Sequence, residues 1–421
     1  MAIIKQVWAR EILDSRGIPT VETACQLDTG HVAVASVPAG TSNSTHEALE
    51  LRDNDPQRFK GKGVLKAVEN VNKTIAPAIA GMDPTRQVDI DTKMITLDGT
   101  ENKSKLGANA ILSVSIVVAK VAAISKQISL FNWINTLARG KGINVVPRVP
   151  TPVFNMINGG KHGAGNLDFQ EFQLVPSSNK NFMEGLQIGV EIYMQLGEYL
   201  KKKGAIHSVG FEGGYAPNLF TNADALEVLV EATRETPYSL GRDMLLSLDV
   251  AANSFFTNGE YTIRDQTAPM NEFKLLQFYK EINDRYKLAL LEDPFNEDSW
   301  ESWQKITSTL GGQLVIMGDD LLATNPQRVE KAIKEKACSG ILIKPNQIGT
   351  ITETLSVVKM SKDANWKVEV SHRSGETNDW FIADFAVGIG ADFAKFGAPA
   401  RGERVAKYNR LHSIYNELGT R

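Results

Sequence analysis

Cysteine is scarce in this sequence: Cys25 and Cys338 lie far apart and show neither a CxxC nor a zinc-type spacing. That argues against a disulfide framework or a thiolate metal site and suits a reducing cytoplasm. A charge excess is missing as well, since 46 Lys and Arg against 49 Asp and Glu leave a net charge of −3. Without a basic field no nucleic acid or anionic membrane is expected as partner, and any anionic ligand needs a local site. Long apolar runs are lacking too. The most apolar stretch, GANAILSVSIVVA at 107–119, lies between Lys105 and Lys120. It is too short to span a bilayer and reads as a buried helix. The opening MAIIKQVWARE has no signal-peptide core before Lys5. The expectation is a cytoplasmic protein with no membrane insertion.

The chain has 421 residues, enough for a large core and two domains. Strand-like alternation fills the first forty, with a turn at Thr29-Gly30, which predicts a small antiparallel meander. Helices are predicted around 64–76 and 107–124. Between them and the meander lies PAGTSNSTHE (38–47), a Gly/Ser/Thr-rich segment read as a mobile loop. Two Gly and three Pro in LARGKGINVVPRVPTP (137–152) mark a boundary. The division is thus an N-terminal α+β capping domain, 1–138, and a C-terminal unit, 139–421.

In the second unit short apolar runs recur, each ending in a polar or charged residue: Asp249, Glu292, Asp319, Lys344, His372 and Lys395. Most are spaced by roughly 25 residues, room for one strand, one helix and two loops. The longer interval from Asp249 to Glu292 holds FFTNGEYTI, whose Asn258-Gly259 is a hairpin signal. Two earlier runs, at 153–156 and 169–175, bring the count to eight, the number of a β/α barrel. The second follows the first too closely for a helical crossover, so that pair is expected to be antiparallel. In such barrels the active site lies at the carboxyl ends of the strands, where these charged residues fall.

Asp249, Glu292 and Asp319 end three consecutive strands. Any one alone could cap a helix; together they repel unless a cation joins them, and all-oxygen ligation favours Mg²⁺ over zinc. Lys344, His372-Arg373-Ser374 and Lys395 follow on the next three strands, so the mouth has a metal side and a cationic side. Arg373 and Ser374, after the seventh strand, suit a phosphate. Gln170-Glu171 sits on the second strand, His162 in a Gly-rich loop, and Glu212 before two glycines. This inventory fits removal of a proton next to a substrate carboxylate. Lys344 would be the base, kept neutral by burial and nearby cations, and Glu212 would protonate the leaving hydroxide.

Across nearly its whole length the sequence resembles the enolases. The likeness rests on LDSRGIPTVE, HEALELRD, NGGKH, QEF, LEDPF, GDDL, IKPNQIGT, SHRSGET and AKYNRL. It implies a barrel of the enolase type and a homodimer or larger homo-oligomer. It also implies Mg²⁺-dependent, reversible dehydration of 2-phosphoglycerate to phosphoenolpyruvate, with two Mg²⁺ in the closed complex. By this resemblance Lys344 is the base and Glu212 the proton donor, with Glu171 beside it. Asp249, Glu292 and Asp319 hold the first metal, and Ser42 helps hold the second. Arg373 and Ser374 grip phosphate, Lys395 contacts the carboxylate, His162 and Gln170 are further substrate contacts, and His372 lies near the reacting hydroxyl. The sequence departs from the family pattern at Phe211, where Asp is usual, and in the loop 39–44. Phe211 is expected to pack behind the site. The alternatives are a related dehydratase of a non-phosphorylated acid and a non-catalytic structural or surface-binding relative.

Overall fold

A computed structural model describes residues 2–40, 44–163 and 165–419. Its N-terminal sheet is the expected meander: β1 (Ile4–Leu13), β2 (Pro19–Leu27) and β3 (Val32–Ser36), all antiparallel, with Val7 opposite Cys25 and Glu22 opposite Ser36. The apolar helix Ala108–Ser125 lies under this sheet. Apolar around its whole circumference, it is enclosed by protein rather than lipid. Its few polar groups are satisfied locally: the Ser113 and Thr23 hydroxyls share a hydrogen bond of 2.6 Å.

The helix expected at 64–76 is present as one continuous run, Leu65–Glu69, Asn70–Ile75 and Ala76–Ile79, whose middle part widens to π-helical bonding. Pro77, which has no N–H to give to the ladder, follows just after the widened part. Two helices, Gln87–Asp98 and Leu130–Gly140, were not read from the sequence.

Eight strands close the barrel: Thr151–Asn158, Glu171–Pro176, Met244–Asp249, Leu290–Glu292, Val315–Gly318, Gly340–Ile343, Lys367–Ser371 and Phe393–Lys395. The second runs antiparallel to both the first and the third; every other neighbouring pair is parallel. The inserted hairpin, Phe256–Thr257 with Glu260–Tyr261, turns at Asn258 and Gly259, both with positive φ.

The two-residue period of a strand builds the site. Leu290, Met317 and Leu342, with Val153 and Val175, form a buried apolar plug, and Phe393 packs against it. Two residues further along their strands, on the same face, stand Glu292, Asp319, Lys344 and Lys395. The interior therefore changes from apolar to charged within one repeat. Reversal of the second strand turns its sequence around, so Glu171, at its start, pairs with Asn158 and Asp249 at the ends of its neighbours.

Candidate active site

The three strand-end acids meet lysines. Lys395 Nζ lies 2.8 Å from Glu292 Oε2, 3.2 Å from Asp249 Oδ2 and 3.5 Å from Glu171 Oε1. Burial opposes its ammonium, but the carboxylates of Asp249, Glu171 and Glu292 outweigh that and raise its pKa well above the ordinary value. Lys344 Nζ donates to Asp319 Oδ2 in a buried ion pair. Burial again works against the charge, and Asp319 again prevails, so the Lys344 pKa is raised. The expectation of a neutral amine counted Mg²⁺ among its surroundings; of the protein's own groups, Arg373 and Lys395 push the pKa down, but less than Asp319 lifts it.

Asp249, Glu292 and Asp319 are all buried, and Asp249 Oδ1 has no hydrogen-bond partner among the described residues. An all-carboxylate donor set with an orphaned oxygen fits a hard divalent cation. The ammonium groups stand where positive charge is needed, so the acids do not repel each other unrelieved. Asp249, Glu292 and Asp319 are not drawn within 4.8 Å of one another among the described residues, whereas Asp293, Asp319 and Asp320 are. The Asp293 carboxylate, however, accepts the backbone N–H groups of Asp319 (2.9 Å) and Asp320 (2.8 Å), which makes it a support that aims Asp319.

Across the mouth a second cluster surrounds Glu212. His162 Nδ1 lies 3.4 Å from Glu212 Oε1 and 3.6 Å from Glu171 Oε1, and Asn155 donates to Glu212 Oε2 at 2.9 Å. His372 Nε2 is 3.4 Å from the same Oε2. Burial disfavours a charged His162, yet Glu212 and Glu171 raise its pKa to about 9. For His372 burial prevails, reinforced by Arg404, and the pKa falls to about 3. Arg404 lies 2.6 Å from His372 Nδ1, and since a guanidinium only donates, the imidazole hydrogen is on Nε2, facing Glu212. The two carboxyls are driven apart: burial and Glu212 lift Glu171 to about 7, whereas the charge of His162 outweighs burial and lowers Glu212.

The turn that carries Glu212 is tightly specified. Gly213 has φ +88, and a Cβ there would stand 2.9 Å from Ala400 O. Phe211 N donates to His162 O at 3.2 Å and Phe211 O accepts from Arg404 at 3.1 Å. Its side chain is 41% exposed, so the expected packing behind the site is not found.

Arg373 and Ser374 follow the seventh strand and line the same pocket as Lys344, Lys395 and Glu212. Gln170 lines it too and donates to Asp249 Oδ2 at 3.2 Å. Glu292 lies beneath, on Lys395. Ser42 lies outside the described residues. Groups at the site that were missed as site residues include Glu47, Asn155, Asp293, Asp320, Gln347 and Arg404. Glu47 stood in the quoted HEALELRD and Arg404 just before AKYNRL, but a carboxylate on a loop and an arginine on a helix carry no signal of their distant partners.

Two family models match the chain: the C-terminal TIM barrel domain of enolase over residues 146–421 and the N-terminal domain of enolase over residues 4–134. The chain belongs to the enolase family. Enolase-family membership brings a lyase-type enzyme, dependence on a metal and a phosphorylated acid as substrate, and the acidic cluster of Asp293, Asp319 and Asp320 could hold such a metal.

Proposed function

We propose that this enolase-family chain is a phosphopyruvate hydratase, interconverting 2-phosphoglycerate with phosphoenolpyruvate and water in glycolysis and gluconeogenesis. The observation that carries this reading is one buried pocket holding Lys344 and Asp319 on one side, the Glu212–His162–Glu171 cluster on another, and Arg373 with Ser374 between strand ends. Asp249, Glu292 and Asp319 would hold Mg²⁺, with Ser42 a candidate for a second ion. When bound, Mg²⁺ supplies positive charge where a substrate carboxylate gathers electron density.

The protein's own groups divide the remaining work. Arg373 and Ser374 bind the phosphate, Lys395 the carboxylate, and His162 and Gln170 orient the ligand. Lys344 takes the proton from the carbon beside the carboxylate, which it can do only once Asp319 no longer holds its ammonium. Glu212 delivers a proton to the leaving hydroxyl. In the arrangement described Glu212 is anionic, and the protons of this cluster reside on His162 and, near neutrality, partly on Glu171. His372, neutral with its Nε2 hydrogen toward Glu212, helps set the direction of that carboxyl.

A capping unit over 1–138, a barrel unit over 139–421 and a cytoplasmic setting belong to the same proposal; the buried unpaired Cys25 and Cys338 suit a reducing compartment. So does self-association, supported by one groove where Leu13, Val34, Ile124 and Trp380 expose apolar surface. Mixing protein, Mg²⁺ and 2-phosphoglycerate should produce the ultraviolet absorbance of the enol double bond. Absence of that signal, together with turnover of a non-phosphorylated hydroxy acid, would refute the assignment.

A further inference from the structure

Glu47 belongs to no step above, yet it faces the pocket and is paired with one of its central residues. Its carboxylate accepts from both terminal nitrogens of Arg373, at 2.9 Å (Nη1) and 3.2 Å (Nη2), and both side chains are buried. A bidentate pair fixes the plane of the guanidinium as well as its position. Glu47 is itself pinned. Its backbone N–H bonds Ser44 O at 3.2 Å, and the next residue, Ala48, donates to Gln347 O at 2.8 Å. Ser44 Oγ in turn donates to Glu297 Oε2 at 2.6 Å, on the loop after the fourth barrel strand. The carboxylate itself also accepts the backbone N–H of Ser44, at 3.1 Å on Oε1.

What Arg373 would do without it follows from its surroundings. Asp319 and Glu50 also bear on Arg373. Gln347 bridges the two acids, donating to Glu47 Oε1 at 3.4 Å and to Asp319 Oδ1 at 3.3 Å, so the guanidinium lies within reach of a second anion. Released from Glu47, it would fall toward Asp319, the acid that must be available for a cation. We propose that Glu47 is a positioning residue: it fixes Arg373 toward the substrate's phosphate and keeps it off Asp319. The inference rests on reading Arg373 as the phosphate contact.

The test is a binding cycle with Glu47→Gln, Arg373→Gln and the double variant, using phosphoenolpyruvate with Mg²⁺ and, separately, Mg²⁺ alone as calorimetric probes. Glu47→Gln should weaken phosphoenolpyruvate about tenfold and Mg²⁺ alone about threefold. In the Arg373→Gln background it should change neither. Glu47→Asp, which keeps the charge on a shorter arm, should recover part of the loss; should the Gln variant not fold, the Asp variant in both backgrounds carries the same comparison. A silent Glu47→Gln, or an equal loss with and without Arg373, overturns the inference. A silent Arg373→Gln overturns the phosphate reading of Arg373, and the inference with it.

Discussion

The two sides of the barrel mouth hold their protons differently. On the Lys344 side a single ion pair with Asp319 keeps one proton on one nitrogen. On the Glu212 side, Glu171, His162 and His372 crowd around one carboxylate, and their pKa values are spread from about 3 for His372 to about 9 for His162. A pair broken by removing one partner changes state sharply, which suits a base that must be switched on. A cluster shares its charge and can hand over a proton with little rearrangement, which suits an acid. The contrast also explains why Lys395, set among several carboxylates, is a poor candidate for the base despite its similar strand-end position.

Asp319→Asn attacks the single pair and should have the largest effect on stability. It leaves the Lys344 ammonium buried without its carboxylate, so the variant should lose about 3 kcal/mol in the absence of metal and bind Mg²⁺ at least about tenfold more weakly. From the sequence alone, three strand-end acids suggest that removing one would relieve repulsion; the lysines reverse that sign. Chemical denaturation with chelator present decides it, and a variant as stable as the parent would mean that the acids repel more than Lys344 holds them.

The cluster side should show itself in pH dependence. His162 has a folded pKa of about 9 against an ordinary value of 6.5. A raised histidine contributes stability that is complete below 6.5 and lost as pH rises through 9. The parent should thus lose about 3 kcal/mol across that window from this group. Scanning calorimetry from pH 6 to 9.5 should show a flatter profile in His162→Gln. An unchanged slope would place the extra proton elsewhere in the cluster.

Phe211→Asp should do least. The side chain is 41% exposed, and surface substitutions of this kind change stability by about 0.5 kcal/mol or less. The new carboxylate beside Glu212 would raise its pKa slightly, and because Glu212 acts as the acid in dehydration this displaces the basic limb of the pH–rate profile upward. A large fall in melting temperature would restore the packing role that the sequence suggested.

That suggestion failed for a physical reason. Alternation of adjacent side chains holds on a strand, whereas Phe211 and Glu212 sit in a turn closed by Gly213. Where alternation did apply, the reading succeeded: apolar runs ending in Asp249, Glu292, Asp319, Lys344 and Lys395 are barrel strands, and the short interval before Glu171 marks the reversed strand. Glu47, Asn155 and Arg404 were illegible because their meaning lies in partners far along the chain, Arg373, Glu212 and His372. The ion pair of Lys344 with Asp319 was illegible because sequence orders charges along the strands but does not give the distances between them.

The division of labour between the two sides is tested most directly by exchange of the C2 hydrogen of 2-phosphoglycerate with deuterated solvent, followed by NMR with Mg²⁺ present. Lys344→Ala should abolish the exchange, because no other group takes that proton. Glu212→Gln should block formation of phosphoenolpyruvate yet retain exchange, since the carbanion can still form and be reprotonated. Exchange that persists in Lys344→Ala and disappears in Glu212→Gln would contradict the account and reverse the roles of base and acid.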